Sequence, residues 1–281
     1  MTEYPVTFGP DDSLMGIVTR PAGANAAALA FLMLNAGVLP RIGPHRINVK
    51  LARSLAAAGQ TSMRFDLSGQ GDSEGAATGL DYRAQSIEDL RHAMDWLEDR
   101  LGTRRFAVIG ICSGAINAHA VARADERVIG ILAFDGHSFR TRWTTPVRHW
   151  KRFLANSWPQ NAAAIVRRVR GRPRDPLTPQ LAPAAPADAK TREARKRALA
   201  AELQSFADRG MVVLLVYSGS FLDAYSYEAQ FRDAFGHEHF ADRVRCLYCP
   251  DIDHTFVTLG AQEQMIGVTL GWAAEVREAC T

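Results

Sequence analysis

Arg105-Phe106-Ala107-Val108-Ile109-Gly110-Ile111-Cys112-Ser113-Gly114 is the stretch on which the reading of the whole chain turns. Its first half is a short apolar run bounded by polar residues, which reads as a buried strand. The small residues that follow, Gly114 to Arg123, read as a helix. The five residues Gly110-Ile111-Cys112-Ser113-Gly114 have the spacing of a sharp strand-to-helix turn that presents its central side chain. So tight a turn leaves no room for side chains two places before and two places after its centre. Gly110 and Gly114 meet that condition for Cys112. With Ser113 at the centre, Ile111 would stand in the crowded place. Cys112 is therefore the residue presented. A thiol at a helix N-terminus feels the positive end of the dipole, which favours its thiolate, and Cys is already the better nucleophile at its ordinary pKa.

Outward from this turn the chain alternates between short strands and helices. Val6–Phe8 and Leu14–Val18 read as a strand pair joined across Gly9–Asp12. Ala27–Leu34 and Thr61–Leu67 read as buried strands. A helix over residues 45–58 would place Ile47, Leu51 and Leu55 on one face. Ser86, with Asp89 three residues on, carries a capping signal for the next helix, where Leu90, Met94, Leu97 and Leu101 recur at helical spacing. Strands are expected at Val128–Phe134, Met211–Tyr217 and Arg243–Tyr248. Helices are expected at Tyr225–Phe235 and Gln262–Val276. This alternation predicts an α/β protein: a mostly parallel central sheet with helices on both faces. Functional groups in such sheets gather at the carboxyl ends of the strands.

The 281 residues are 47% apolar and 22% charged, ordinary globular values that exclude a disordered or fibrous chain. The longest apolar stretch, Ala26–Leu34, is too short for a membrane span, which needs about 20 residues. The opening MTEYPVTFG carries an early Glu3 and no leader pattern, so a cytoplasmic protein is expected. Four cysteines do not make a disulfide scaffold. Charge is unevenly spread. Residues 137–209 hold 16 Lys and Arg against 5 Asp and Glu, so the rest of the chain is net −8 although the total is +3. That segment also holds seven of the 13 prolines and three tryptophans, Trp143, Trp150 and Trp158. It reads as an insertion, and as a lid its basic groups would attract an anionic substrate. No nucleic-acid-binding motif accompanies the charge.

The elbow around Cys112 resembles that of the α/β-hydrolase superfamily, and the resemblance covers nearly the full chain. More narrowly, the Cys-containing elbow and the segment Gly37-Val38-Leu39-Pro40-Arg41-Ile42-Gly43-Pro44-His45-Arg46 resemble the hydrolases associated with exosortase systems. The turn Arg64-Phe65-Asp66-Leu67-Ser68-Gly69-Gln70-Gly71-Asp72-Ser73 also resembles a superfamily motif. The resemblance implies an α/β-hydrolase core over residues 1–136 and 210–281. The basic insertion 137–209 stands where the superfamily places its helical cap.

It also implies a site. The chain order nucleophile, acid, histidine points to His254, in the loop after the last strand, as general base. The acid is expected after the strand ending at Tyr217, where Asp223 is the first choice. Asp135, after the strand Ile131–Phe134, is the alternative. The two oxyanion-hole amides would come from Ser113 and from the turn holding Gly37 and Val38. Arg41, His45 and Arg46 follow that turn and are candidates for holding a substrate carboxylate or phosphate, with Trp143 of the insertion as a further substrate contact. Asp251 and Asp253 would shape the loop of His254. His237 and His239 form an H-x-H pair without further ligand spacing and read as surface residues. Cys246-x-x-Cys249 lies along a strand, so its thiols face opposite ways and read as packing residues. No metal and no cofactor is expected.

The function so implied is hydrolysis of an ester or thioester through a Cys-His-Asp triad and an S-acyl intermediate. The substrate would be a small molecule or a carrier-bound acyl group, with an anionic one fitting the basic lid. An acyltransferase or cyclising enzyme would use the same thiol with an alcohol or amine in place of water. A non-catalytic protein that docks an acidic partner through the basic segment is the remaining alternative.

Overall fold

The computed structural model describes residues 1–23, 27–155, 189–222 and 224–280. Eight strands form one sheet: β1 (Thr2–Phe8), β2 (Leu14–Arg20), β3 (Leu29–Met33), β4 (Thr61–Phe65), β5 (Arg105–Ile111), β6 (Val128–Phe134), β7 (Val212–Ser218) and β8 (Arg245–Cys249). Their order is β1-β2-β4-β3-β5-β6-β7-β8. β1 and β2 pair antiparallel, and β2 is antiparallel to β4; every later pairing is parallel. β3 and β4 are buried along their whole length, as strands covered on both faces must be.

Seven helices are described: α1 (Ile47–Ala57), α2 (Tyr82–Leu101), α3 (Ser113–Ala124), α4 (Thr144–Ala155), α5 (Ala189–Asp208), α6 (Gln230–Phe235) and α7 (Leu259–Cys280). Alternate strand residues divide between two cores. Phe31 and Met33 face Ile47, Leu51 and Leu55 of α1 and Met265 and Trp272 of α7. Ala30 and Leu32 belong to the other core, with Leu90 and Met94 of α2, Val121 of α3 and Leu203 and Phe206 of α5. The expected architecture, a mostly parallel sheet with helices on both faces, is thus present, and Cys112, Asp135 and His254 follow the carboxyl ends of β5, β6 and β8.

Three expectations are corrected. Helix α2 starts at Tyr82, capped by Asp81, whose side chain accepts from the Ala84 amide. Ser86 and Asp89 are buried inside it, and Asp89 instead accepts from the amide (2.7 Å) and hydroxyl (2.8 Å) of Ser68. The helix expected over Tyr225–Phe235 begins at Gln230, because the Gln230 side chain bonds Ser226 N and Ala224 O and holds the preceding residues as a turn. Helix α5 falls inside the expected insertion, yet Leu199, Leu203, Phe206 and Ala207 make it part of the layer covering the sheet. Cys246 packs against one core while Cys249 belongs to the other, as opposite faces of a strand require.

Candidate active site

Cys112 ends the strand–turn–helix junction with φ 57° and ψ −116°, an uncommon conformation for a residue bearing a side chain. Its amide donates to Phe134 O of the neighbouring strand (2.9 Å). The flanking glycines are both required. A Cβ on Gly110 would stand 2.2 Å from Gly114 O, and one on Gly114 would stand 2.6 Å from Asn35 O. The Cys112 thiol is half-buried, and the His254 imidazole pulls its pKa below the usual thiol value; the Ser113 amide adds to that effect.

His254 stands in the loop between β8 and α7. Its amide donates to Ser220 Oγ (3.0 Å), and Phe221 stacks on its ring with centroids 6.2 Å apart. Asp253 accepts from the amides of Thr255 and Val257, both at 2.9 Å, and so shapes the loop. Nδ1 of His254 lies 2.7 Å from Asp135 Oδ2. The hydrogen bonds to Asp135 and Cys112 raise the imidazole to about 10.

Asp135 follows the last residue of β6 in a left-handed conformation, φ 49°, and its carboxylate is fully buried. It accepts from Ser218 N (2.8 Å) and Ser218 Oγ (2.6 Å), the end of β7, besides His254. The carboxylate on the histidine is therefore the alternative of the sequence reading. Asp223 lies outside the described residues. Ser218, Ser220 and Phe221 had not been singled out; Ser218-Gly219-Ser220 directly after a strand was the available signal.

The turn after β3 is also arranged differently from the expectation. Gly37 N–H donates to Ser113 Oγ (2.9 Å), so this amide is engaged by the residue after the thiol, and Val38 is highly exposed. Asn35 ties this turn to the one after β4, accepting from Leu67 N (2.8 Å) and donating to Asp66 Oδ1 (3.0 Å). Arg41, expected to hold a substrate anion, pairs through its guanidinium with the buried Asp66 and with Asp72 (2.7 Å). The burial of Asp66 is what demands this counter-ion. His45 and Arg46 are exposed, both with positive φ, in the turn before α1. Trp143 is half-exposed, with the Arg142 guanidinium 5.3 Å above its ring. His237 and His239 are exposed. Among the described residues, no helix is long and apolar enough to cross a membrane.

Residues 41–182, half of the chain, match the family model described as alpha/beta hydrolase fold. No curated protein matches the sequence. Many solved structures share the fold, among them the following three. A serine hydrolase of Xanthomonas campestris, described as lacking a lid, is 14% identical with a TM-score of 0.56, over 98% of this chain and 95% of that one. An esterase of Pyrococcus furiosus is 14% identical with a TM-score of 0.58, over 96% and 89%. Est1E of Butyrivibrio proteoclasticus is 12% identical with a TM-score of 0.59, over 98% and 99%.

Proposed function

Because this chain belongs to the alpha/beta hydrolase fold family, we propose that it cleaves an ester or thioester by transferring the acyl group to Cys112 and then to water. The observation that carries this reading is the glycine-flanked Cys112 presented at the elbow, together with the His254 imidazole whose Nδ1 lies 2.7 Å from the buried Asp135 carboxylate. The thiolate attacks the carbonyl carbon, and the negative oxygen that develops is held by the Ser113 amide and the Ser113 hydroxyl oriented by Gly37. Collapse of that intermediate breaks the bond to the leaving group, which takes its proton from the His254 imidazolium. The neutral imidazole then removes a proton from water, which attacks the thioester and releases the acid and the thiol. Asp135 fixes the tautomer and stabilises the imidazolium throughout.

The thiol in place of a serine fits the narrower likeness to the exosortase-associated hydrolases, and the basic insertion favours an anionic substrate. Intact-protein mass spectrometry after incubation with a panel of activated acyl esters and thioesters tests the reading. A mass gain on Cys112, absent in Cys112→Ala and slowed in His254→Ala, is expected. Turnover that persists in Cys112→Ala would rule the thiol out as nucleophile.

A further inference from the structure

Helix α3 carries a second ionisable side chain that this reaction does not use. His119 is buried, 1% exposed. Its Nδ1 is bonded to Glu202 of α5, while its Nε2 is buried with no hydrogen-bond partner. Its ring meets that of His137 edge-on, with centroids 4.7 Å apart, and His137 stands two residues beyond Asp135. One ligand atom from each of His119, His137 and Glu202 lies within 4.8 Å of the others. The second oxygen of Glu202 accepts from Arg123 Nη1 (2.9 Å).

We propose that His119, His137 and Glu202 bind one divalent cation of the zinc class, fastening α5 to the elbow helix and to the loop that carries Asp135. Two imidazoles and a carboxylate form a donor set that zinc favours, whereas calcium and magnesium prefer oxygen alone. Bonds of about 2.0–2.2 Å in a tetrahedral shell put ligand atoms about 3.4 Å apart. Small side-chain rotations therefore separate the described arrangement from a closed one. Arg123 stands where an outer partner orients a ligating carboxylate. Without an ion, one hydrogen bond joins His119 to Glu202, a ring contact joins it to His137, and its buried Nε2 is unsatisfied at a cost in free energy. Three protein ligands leave a fourth position for water.

The test uses the full chain as Cys112→Ala, so that the elbow thiol takes no part in capture. The protein is stripped with a chelator and titrated with Co²⁺ and then Zn²⁺. One Co²⁺ per chain with the visible absorption of a tetrahedral site, displaced by Zn²⁺, is expected, together with a rise in thermal midpoint. Glu202→Gln keeps the size and an acceptor for His119, and His137→Ala trims a loop residue; each should weaken binding at least about tenfold, with circular dichroism confirming the fold. Failure to bind either metal at micromolar concentration would overturn the proposal. So would unchanged affinity in both variants, which would move the ion elsewhere, for instance to His237 and His239.

Discussion

A thiol and an imidazole that share a hydrogen bond titrate as a pair. Here both partners move toward the charged forms: Cys112 is lowered by His254, and His254 is raised to about 10 by Asp135 and Cys112. Falling pH removes the thiolate only below its depressed value, and rising pH removes the imidazolium proton only near 10. Between these limits alkylation of Cys112 by iodoacetamide should be nearly independent of pH. In His254→Ala it should rise with pH as an ordinary thiol does, and at about pH 6.5 it should be slower by about tenfold or more. Parallel pH–rate profiles in the two proteins would show that no ion pair exists. The acid is tested separately: Asp135→Asn should lower hydrolysis by about 10²-fold or more, while Asp223→Asn should leave it within a few-fold. The presentation of Cys112 at a sharp turn was legible locally from its two glycines, whereas His254 came from the chain order that the hydrolase resemblance implies. The choice between two carboxylates was not, because it depends on which strand end meets the histidine loop. The end of β7 supplies Ser218, a donor to the carboxylate, and the end of β6 supplies the carboxylate itself.

Strands and helices explain why the conspicuous motif residues outside the elbow serve the frame. The turns after β3 and β4 are joined through the buried Asp66, which accepts from Asn35 and pairs with the partly buried Arg41. Removing Arg41 leaves a buried carboxylate without its counter-charge. Arg41→Ala should therefore destabilise the fold by about 3 kcal/mol, measured by urea denaturation, with KM for any anionic substrate little changed in the folded fraction. A large rise in KM with full stability would instead return Arg41 to the substrate. Strand positions followed from apolar runs, and β5 and β6 have the bounds the sequence suggests. Helix starts were harder to place. Ser86 and Asp89 imitate a cap, but their side chains are directed inward, to the carbonyl of Tyr82 and to Ser68. A pattern of residue types cannot distinguish a polar group that caps from one that is satisfied by tertiary contacts.

At the scale of the molecule, two features depend on residues brought together from distant parts of the chain. The His119, His137 and Glu202 cluster joins two helices and a loop, so no sequence spacing announces it. The charge asymmetry is the opposite case: it is legible from composition, yet it acts only through the folded arrangement. In the described part of the basic segment, Arg140, Arg192 and Lys196, with Thr141, Thr145 and the carboxylate of Glu193, line a cavity of about 290 Å³ between the loop after β6, α4 and α5, where cations outnumber the acid three to one. A positive field over this face of an otherwise acidic molecule should draw in anionic acyl donors, and salt should screen it over about 10 Å at 0.1 M. For an anionic thioester, kcat/KM should then fall by about tenfold as ionic strength rises from about 0.02 to about 0.3 M. A neutral ester of the same acyl group should change by less than about twofold. In the double variant Arg192→Ala, Lys196→Ala the anionic substrate should lose about half of its salt response on a logarithmic scale, since two of the three lining cations are gone. The neutral ester should again be unaffected. Equal salt responses for the two substrates in the unaltered protein would mean that the basic segment plays no part in substrate capture, and the choice of an anionic substrate would go with it.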